Sequence, residues 1–104
     1  MSGLAQLPNK YAGETKPVTF DFSDVLASGE TISTQTVTAA VYSGTDASPA
    51  SLISGSATAS GAVVTQKVTA GTLGVIYELT CTITTSLSNT FLQVGLLAVV
   101  PKES

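Results

Sequence analysis

At 104 residues with a formal net charge of −3, the chain is sized for one domain that buries about two thirds of its unfolded surface around a single core. Its only basic groups are Lys10, Lys16, Lys67 and Lys102, with no arginine and no histidine, so it lacks the clustered cations that bind a nucleic-acid backbone. A lone Cys81 excludes an intrachain disulfide or a cysteine metal cluster. The rest is rich in Thr, Val, Ser, Ala and Gly, a mixture that favours strands and turns over helices.

Residues 1–15 show no sustained periodicity, yet Leu4, Leu7 and Tyr11 are more apolar than a solvated tail requires. The segment reads either as a loose leader or as an N-terminal arm that docks on something, with the body of the domain in residues 16–104. It carries no basic residue followed by an apolar run of signal-peptide length, and nowhere do eighteen apolar residues run together. The chain is therefore expected to be made in the cytoplasm and used without export through a membrane.

Val18, Phe20 and Phe22 share one parity and predict the core face of a strand, with Thr19 and Asp21 turned outward. After Phe22 the alternation stops. Ser23 and Asp24 are capping types, Val25 and Leu26 can turn inward over one helical turn, and Gly29 suits the positive φ that ends it. Asp21, Asp24 and Glu30 crowd this turn, and loop oxygens of that kind can hold Ca²⁺. Capping by Ser23 or Asp24 with an exposed Glu30 explains them more simply, so no metal ligand is assigned.

Residues 31–42 form a long strand whose apolar parity slips between Ile32 and Val37, which predicts a bulge near Gln35. Residues 43–61 read as two loops around one short strand anchored by Leu52 and Ile53. Residues 62–68 are a further strand, its inward parity left open by adjacent Val63 and Val64. A turn at residues 70–74 precedes the clearest alternation in the chain. Val75, Tyr77, Leu79, Cys81 and Ile83 share one face, and Glu78, Thr80, Thr82 and Thr84 the other. Residues 85–89 are a hairpin loop, and Leu92, Val94, Leu96, Ala98 and Val100 belong to the last strand, which Pro101 stops.

About seven short strands without an amphipathic helix predict an all-β, immunoglobulin-like sandwich of two sheets with an extended N-terminal arm. Tyr77 follows a Gly-rich turn at the start of a late strand, which suggests a tyrosine corner whose hydroxyl bonds the backbone upstream.

Two segments carry a resemblance. The first places Phe20, Asp21, Phe22 and Ser23 at a strand end, then Leu26, Gly29, Glu30, Thr31 and Ile32; the second places Gly71, Gly74, Tyr77, Thr84, Thr85 and Ser86 around the late strand. In these the chain resembles the small immunoglobulin-like virion proteins of tailed bacteriophages, which include fibre-to-tail adaptors and capsid-associated decorations. The resemblance spans residues 16–100. It implies a structural virion component that binds capsid, tail or fibre proteins in multiple symmetric copies. The last strand is more apolar here than is usual in that group, so it covers more core or meets a neighbouring subunit.

Catalysis needs a positioned base and usually a nucleophile beside it. No Gly-x-Ser-x-Gly, histidine metal box or phosphate loop is present, so no catalytic residue and no cofactor is assigned. A carbohydrate-binding or cell-surface adhesion module is the alternative, because sandwiches often display aromatic rings. The residues expected to contact a partner are Leu4, Leu7 and Tyr11 of the arm, with Tyr42 and Phe91 at loop or edge positions.

Overall fold

The computed structural model describes residues 5, 6, 9–11 and 13–101, the first two by their backbone. In chain order the strands are β1 (Ala5–Gln6), β2 (Lys10–Tyr11), β3 (Lys16–Asp21), β4 (Ile32–Ser43), β5 (Ile53–Ser60), β6 (Val63–Val68), β7 (Ile76–Thr85) and β8 (Thr90–Val100). β4, β7 and β8 are hydrogen-bonded in that order, and β1 and β2 both add to the far side of β8 in parallel. The second sheet runs β3-β6-β5. With the two arm pieces sharing one edge position, the described residues fill seven strand positions. The pairing order is that of the C-F-G and B-E-D sheets of an immunoglobulin fold.

The alternation of β7 builds the centre of the core. Tyr77, Leu79, Cys81 and Ile83 are fully buried and Val75 nearly so, while Leu97 and Val99 of β8 complete that face. From the opposite sheet come Val18, Phe20 and Phe22, together with Val64 and Val68. Each such side chain contributes about 1.5–3 kcal/mol on burial. A one-residue slip of β7 would turn its entire apolar set to water, so its register against β4 and β8 is strongly specified. Gln66 is the polar member of this interior. It fits because its Nε2 donates to the carbonyls of Ser54 (3.0 Å), Gly55 (3.2 Å) and Lys67 (2.8 Å), beside the break in β5–β6 pairing between Ser54 and Thr58.

Several expectations change in detail. The bulge in β4 lies between Ile32 and Thr34, earlier than Gln35, and a second break lies between Val41 and Ser43. The first break lets Ile32 pack on the core while resetting Gln35, Val37, Ala39 and Val41 to the same side. Gln35 then ties the sheets together, its Nε2 donating to Ala57 O at 3.1 Å. Residues 43–61 hold more order than two loops around a short strand: a 3-10 turn, Pro49–Leu52, leads into the eight-residue β5. Its small side chains carry little pattern because β5 is held mainly by backbone pairing to β6. The open parity of β6 resolves with Val64, Gln66 and Val68 inward.

The turn after β3 also differs. Val25 and Leu26 both donate their N–H groups to Phe22 O, forming the single helical turn, but only Leu26 packs on the core and Val25 is exposed. Asp21, rather than Ser23 or Asp24, caps it by accepting Ser23 N–H at 2.8 Å. Gly29 takes the expected left-handed conformation at φ +83°. Glu30, expected to be exposed, is buried at 7% exposure, because its carboxylate reaches the β7–β8 hairpin.

Candidate interaction surface

Three buried polar clusters hold the loops. Glu30 Oε1 accepts Ala27 N–H at 2.9 Å, and Oε2 accepts from Thr85 Oγ1 at 2.5 Å and Asn89 Nδ2 at 2.9 Å. The Ala27 N–H, then Thr85 and Asn89, hold this carboxyl below its ordinary value. Tyr77 forms the expected tyrosine corner: its hydroxyl accepts Thr72 N–H at 2.7 Å and donates to Asp46 Oδ2 at 2.5 Å. Burial, reinforced by the Asp46 bond, raises the phenol, and the same bond with Ser48 N–H lowers Asp46. Lys10 is the third, with no exposed surface. Its Nζ donates to Ala70 O at 2.6 Å and Tyr11 O at 3.1 Å, and burial is the main cause that lowers its ammonium.

Asp21 and Glu30 are thus engaged in loop hydrogen bonds rather than gathered with Asp24 around one point. Among the described residues no three His, Cys, Asp or Glu side chains come together as a metal site. Cys81 is buried, and desolvation pushes its thiol up to about 12.

The expected contact residues do not form one patch. Leu4 and Leu7 lie outside the described residues. Tyr11 pairs with Val100 at the C-terminal end of β8, and its ring is exposed. Tyr42 is exposed on β4 beside the break at Val41/Ser43, where the strand pairs with the beginning of β7. Phe91 sits at the opposite end of the sheet, opposite Ile83, half-buried against the core. The nine steps of strand from Phe91 to Val100 span about 30 Å.

The outward face of the larger sheet was less visible in the sequence. Leu92, Val94, Leu96, Ala98 and Val100 point away from the core, beside the Thr80, Thr82 and Thr84 row of β7. Next come Thr34, Thr36 and Thr38 of β4, and the hydroxyls of Thr34 and Thr84 are hydrogen-bonded to each other. β4, β7 and β8 carry one charged residue between them, Glu78. The signal was present in β8, whose two parities are both apolar. A strand apolar on both sides calls for cover on both sides.

At the other end of β8 a groove of about 500 Å³ opens between that strand and the turn after β3, lined by Phe22, Asp24, Val25, Phe91, Leu92 and Gln93 among others. Gln93 Nε2 donates to Asp21 O at 2.5 Å and joins the two walls.

An apolar interior, polar clusters spent on holding loops, and an outer face of hydroxyls and aliphatic carbons define a β-sandwich module built for contact. No curated protein matches the chain. The family model described as podophage GP4 fiber-tail adaptor protein gp77 matches residues 10–96, and the chain belongs to that family. It is a structural adaptor of a phage virion and binds other virion proteins. The carbohydrate or adhesion alternative is not favoured.

Proposed function

We propose that the chain sits where a fibre meets the tail, acts by contact alone without catalysis, and is present in several symmetric copies. The observation that carries this reading is the match to the fibre-tail adaptor family over residues 10–96. A nearly uncharged outer sheet face supports it, since depletion of charge marks the core of protein interfaces. Residues 16–104 serve as the body and residues 1–15 as an arm, a reading supported by the pairing of Ala5–Gln6 and Lys10–Tyr11 with β8. Leu4, Leu7, Tyr11, Tyr42 and Phe91 contribute contacts to neighbouring virion proteins, neither nucleic acid nor membrane being a partner.

Imaging of intact particles with the chain labelled tests the reading. Roughly six or twelve copies at the base of the fibres are expected, because closed symmetry sets the count, and hundreds of copies over the head would overturn it. Tyr11→Ser combined with Tyr42→Ser removes two exposed rings without touching the core. The doubly substituted chain is expected to fold and to enter particles at a reduced level.

A further inference from the structure

Sheet edges invite further strands, and bulges, prolines and lysines are the usual means of blunting them. β3 begins with Lys16 and Pro17, and β5 is broken between Ser54 and Thr58. β4 breaks its pairing with β7 at Ile32/Thr34 and again at Val41/Ser43, but the eight residues 34–41 between keep one register, with no proline and no charged side chain. β4 ends its sheet, and no described residue pairs with its outer edge. The rest of the chain is too short to reach there. Residues 1–4 continue from Ala5 on the far side of β8, four strand spacings or about 19 Å from that edge, and four residues span at most about 14 Å. Residues 102–104 follow β8, three spacings or about 14 Å away, and three residues span at most about 11 Å. Residues 7, 8 and 12 adjoin the pieces paired with β8.

The backbone parity of this edge follows from its neighbours. Val99 donates its N–H to Val75 O, and Thr85 donates its own to Asn89 O, so the odd-numbered residues of β7 bond toward β8. Its even-numbered residues therefore bond toward β4, where Thr80 lies opposite Thr38 and Thr82 opposite Thr36. That leaves the N–H and C=O groups of Gln35, Val37, Ala39 and Val41 directed at the open edge. The side chains of the other parity, Thr34, Thr36, Thr38, Ala40 and Tyr42, are exposed along the whole run.

We infer that β4 pairs antiparallel with β4 of a second copy about a two-fold axis at Thr38, joining the two larger sheets into one. The occupant is selected by the symmetry of the run. A two-fold at Thr38 carries each break of β4 onto the other to within one residue, so a regular stretch meets a regular stretch of the same length. Gln35 then faces Val41 and Val37 faces Ala39, four doubly bonded pairs with their symmetry mates, or about eight hydrogen bonds. Thr38 faces Thr38 and Thr36 faces Ala40, pairs that stabilise adjacent strands. Charge does not oppose the contact. Glu78, the one charged residue of β4, β7 and β8, lies level with Ala40, which places the two copies of it about 20 Å apart, beyond the screening length of about 8 Å. The pairing supplies an interface for the symmetric copies proposed above and does not depend on which virion proteins the chain contacts.

Sedimentation equilibrium of the full chain up to about 1 mM tests this, and a monomer–dimer equilibrium is expected, since an edge contact lies at the low end of interface size. Thr38 is exposed, so Thr38→Lys and Thr38→Glu leave the core untouched. Each sets two like charges face to face at the axis and is expected to weaken the dimer at least about tenfold. An equimolar mixture of the two variants is expected to restore it as a mixed dimer, because Lys then faces Glu. In NMR-detected exchange the Val37 and Ala39 amides should be protected in the dimer and exchange at least about tenfold faster in Thr38→Lys, while those of Thr36 and Thr38 stay protected by β7. A parent that is monomeric throughout overturns the pairing, as does a dimer that survives both substitutions or a mixture that does not reassociate. Any of these leaves the adaptor reading standing, which particle imaging tests separately.

Discussion

Glu30 and Thr85 lie 55 residues apart and are joined by a 2.5 Å hydrogen bond, Thr85 Oγ1 donating to Glu30 Oε2. Thr85 Oγ1 also accepts the N–H groups of Leu87 and Asn89, so one hydroxyl links the acidic turn to the hairpin that follows β7. The carboxylate is the acceptor on which this joint depends.

Acid is therefore expected to loosen the joint. Glu30 in the unfolded chain titrates near 4.5, and its folded value is lower, because the Ala27 N–H and then Thr85 and Asn89 bond the charged form. Its contribution is present above the unfolded value and is lost as pH falls through the folded one. Asp46 and Asp21 act in the same direction. Urea unfolding at about pH 7 and about pH 3 should show a smaller acid-induced loss for Glu30→Gln than for the parent.

Tyr77→Phe keeps the buried ring but leaves Thr72 N–H and Asp46 without the hydroxyl. A cost of about 1–3 kcal/mol is expected, the usual penalty for orphaning a buried polar group, read as a lower urea midpoint at unchanged slope. Burial and the Asp46 bond raise the phenol above its ordinary value of 10.0. Stability from this group is therefore present below that value and is lost at higher pH, a dependence that Tyr77→Phe should lack.

Gly71 takes φ +91°, and a Cβ there would lie 2.9 Å from Val99 Cγ2 and 3.0 Å from Leu52 Cδ1. Gly71→Ala adds left-handed backbone strain to overpacking in a filled corner. Destabilisation of about 2–4 kcal/mol is expected from the two together, measured by thermal unfolding.

Lys10→Ala removes the buried ammonium from Ala70 O, and with it the side-chain bond that fastens β2 beside the tyrosine corner. Residues 1–15 should then be cleaved by chymotrypsin, which cuts after Tyr11, markedly faster, with a loss of about 1–3 kcal/mol in overall stability. Unchanged cleavage would mean that the pairing of Lys10 with Val99 and Tyr11 with Val100 suffices to hold the arm.

Cys81 should resist thiol reagents in the native state. Its thiol is fully buried and pushed up to about 12 by desolvation, so reactive thiolate is scarce near neutral pH. Labelling by a disulfide reagent should track global unfolding and quicken in destabilised variants such as Gly71→Ala.

Much of the fold was legible where one face of a strand is apolar and the other is not. Val75, Tyr77, Leu79, Cys81 and Ile83 announce both a strand and its inward face, and Val18, Phe20 and Phe22 do the same for β3. The tyrosine corner was legible because Gly71, Gly74 and Tyr77 satisfy a local geometric demand. β8 was harder. Its two parities are both apolar, so alternation cannot tell the core side, Leu97 and Val99, from the outward side, Leu92 to Val100.

By itself, then, the sequence determined the class of fold, the register of the central strand and the corner that begins it, because these follow from side-chain periodicity and turn chemistry over a few residues. Only the tertiary structure decided that Glu30 is buried, that the Lys10 side chain is buried, and that Tyr11, Tyr42 and Phe91 occupy separate regions. Each depends on partners brought close by strand pairing: Thr85 and Asn89 for Glu30, Ala70 for Lys10, and the length of β8 for the separation.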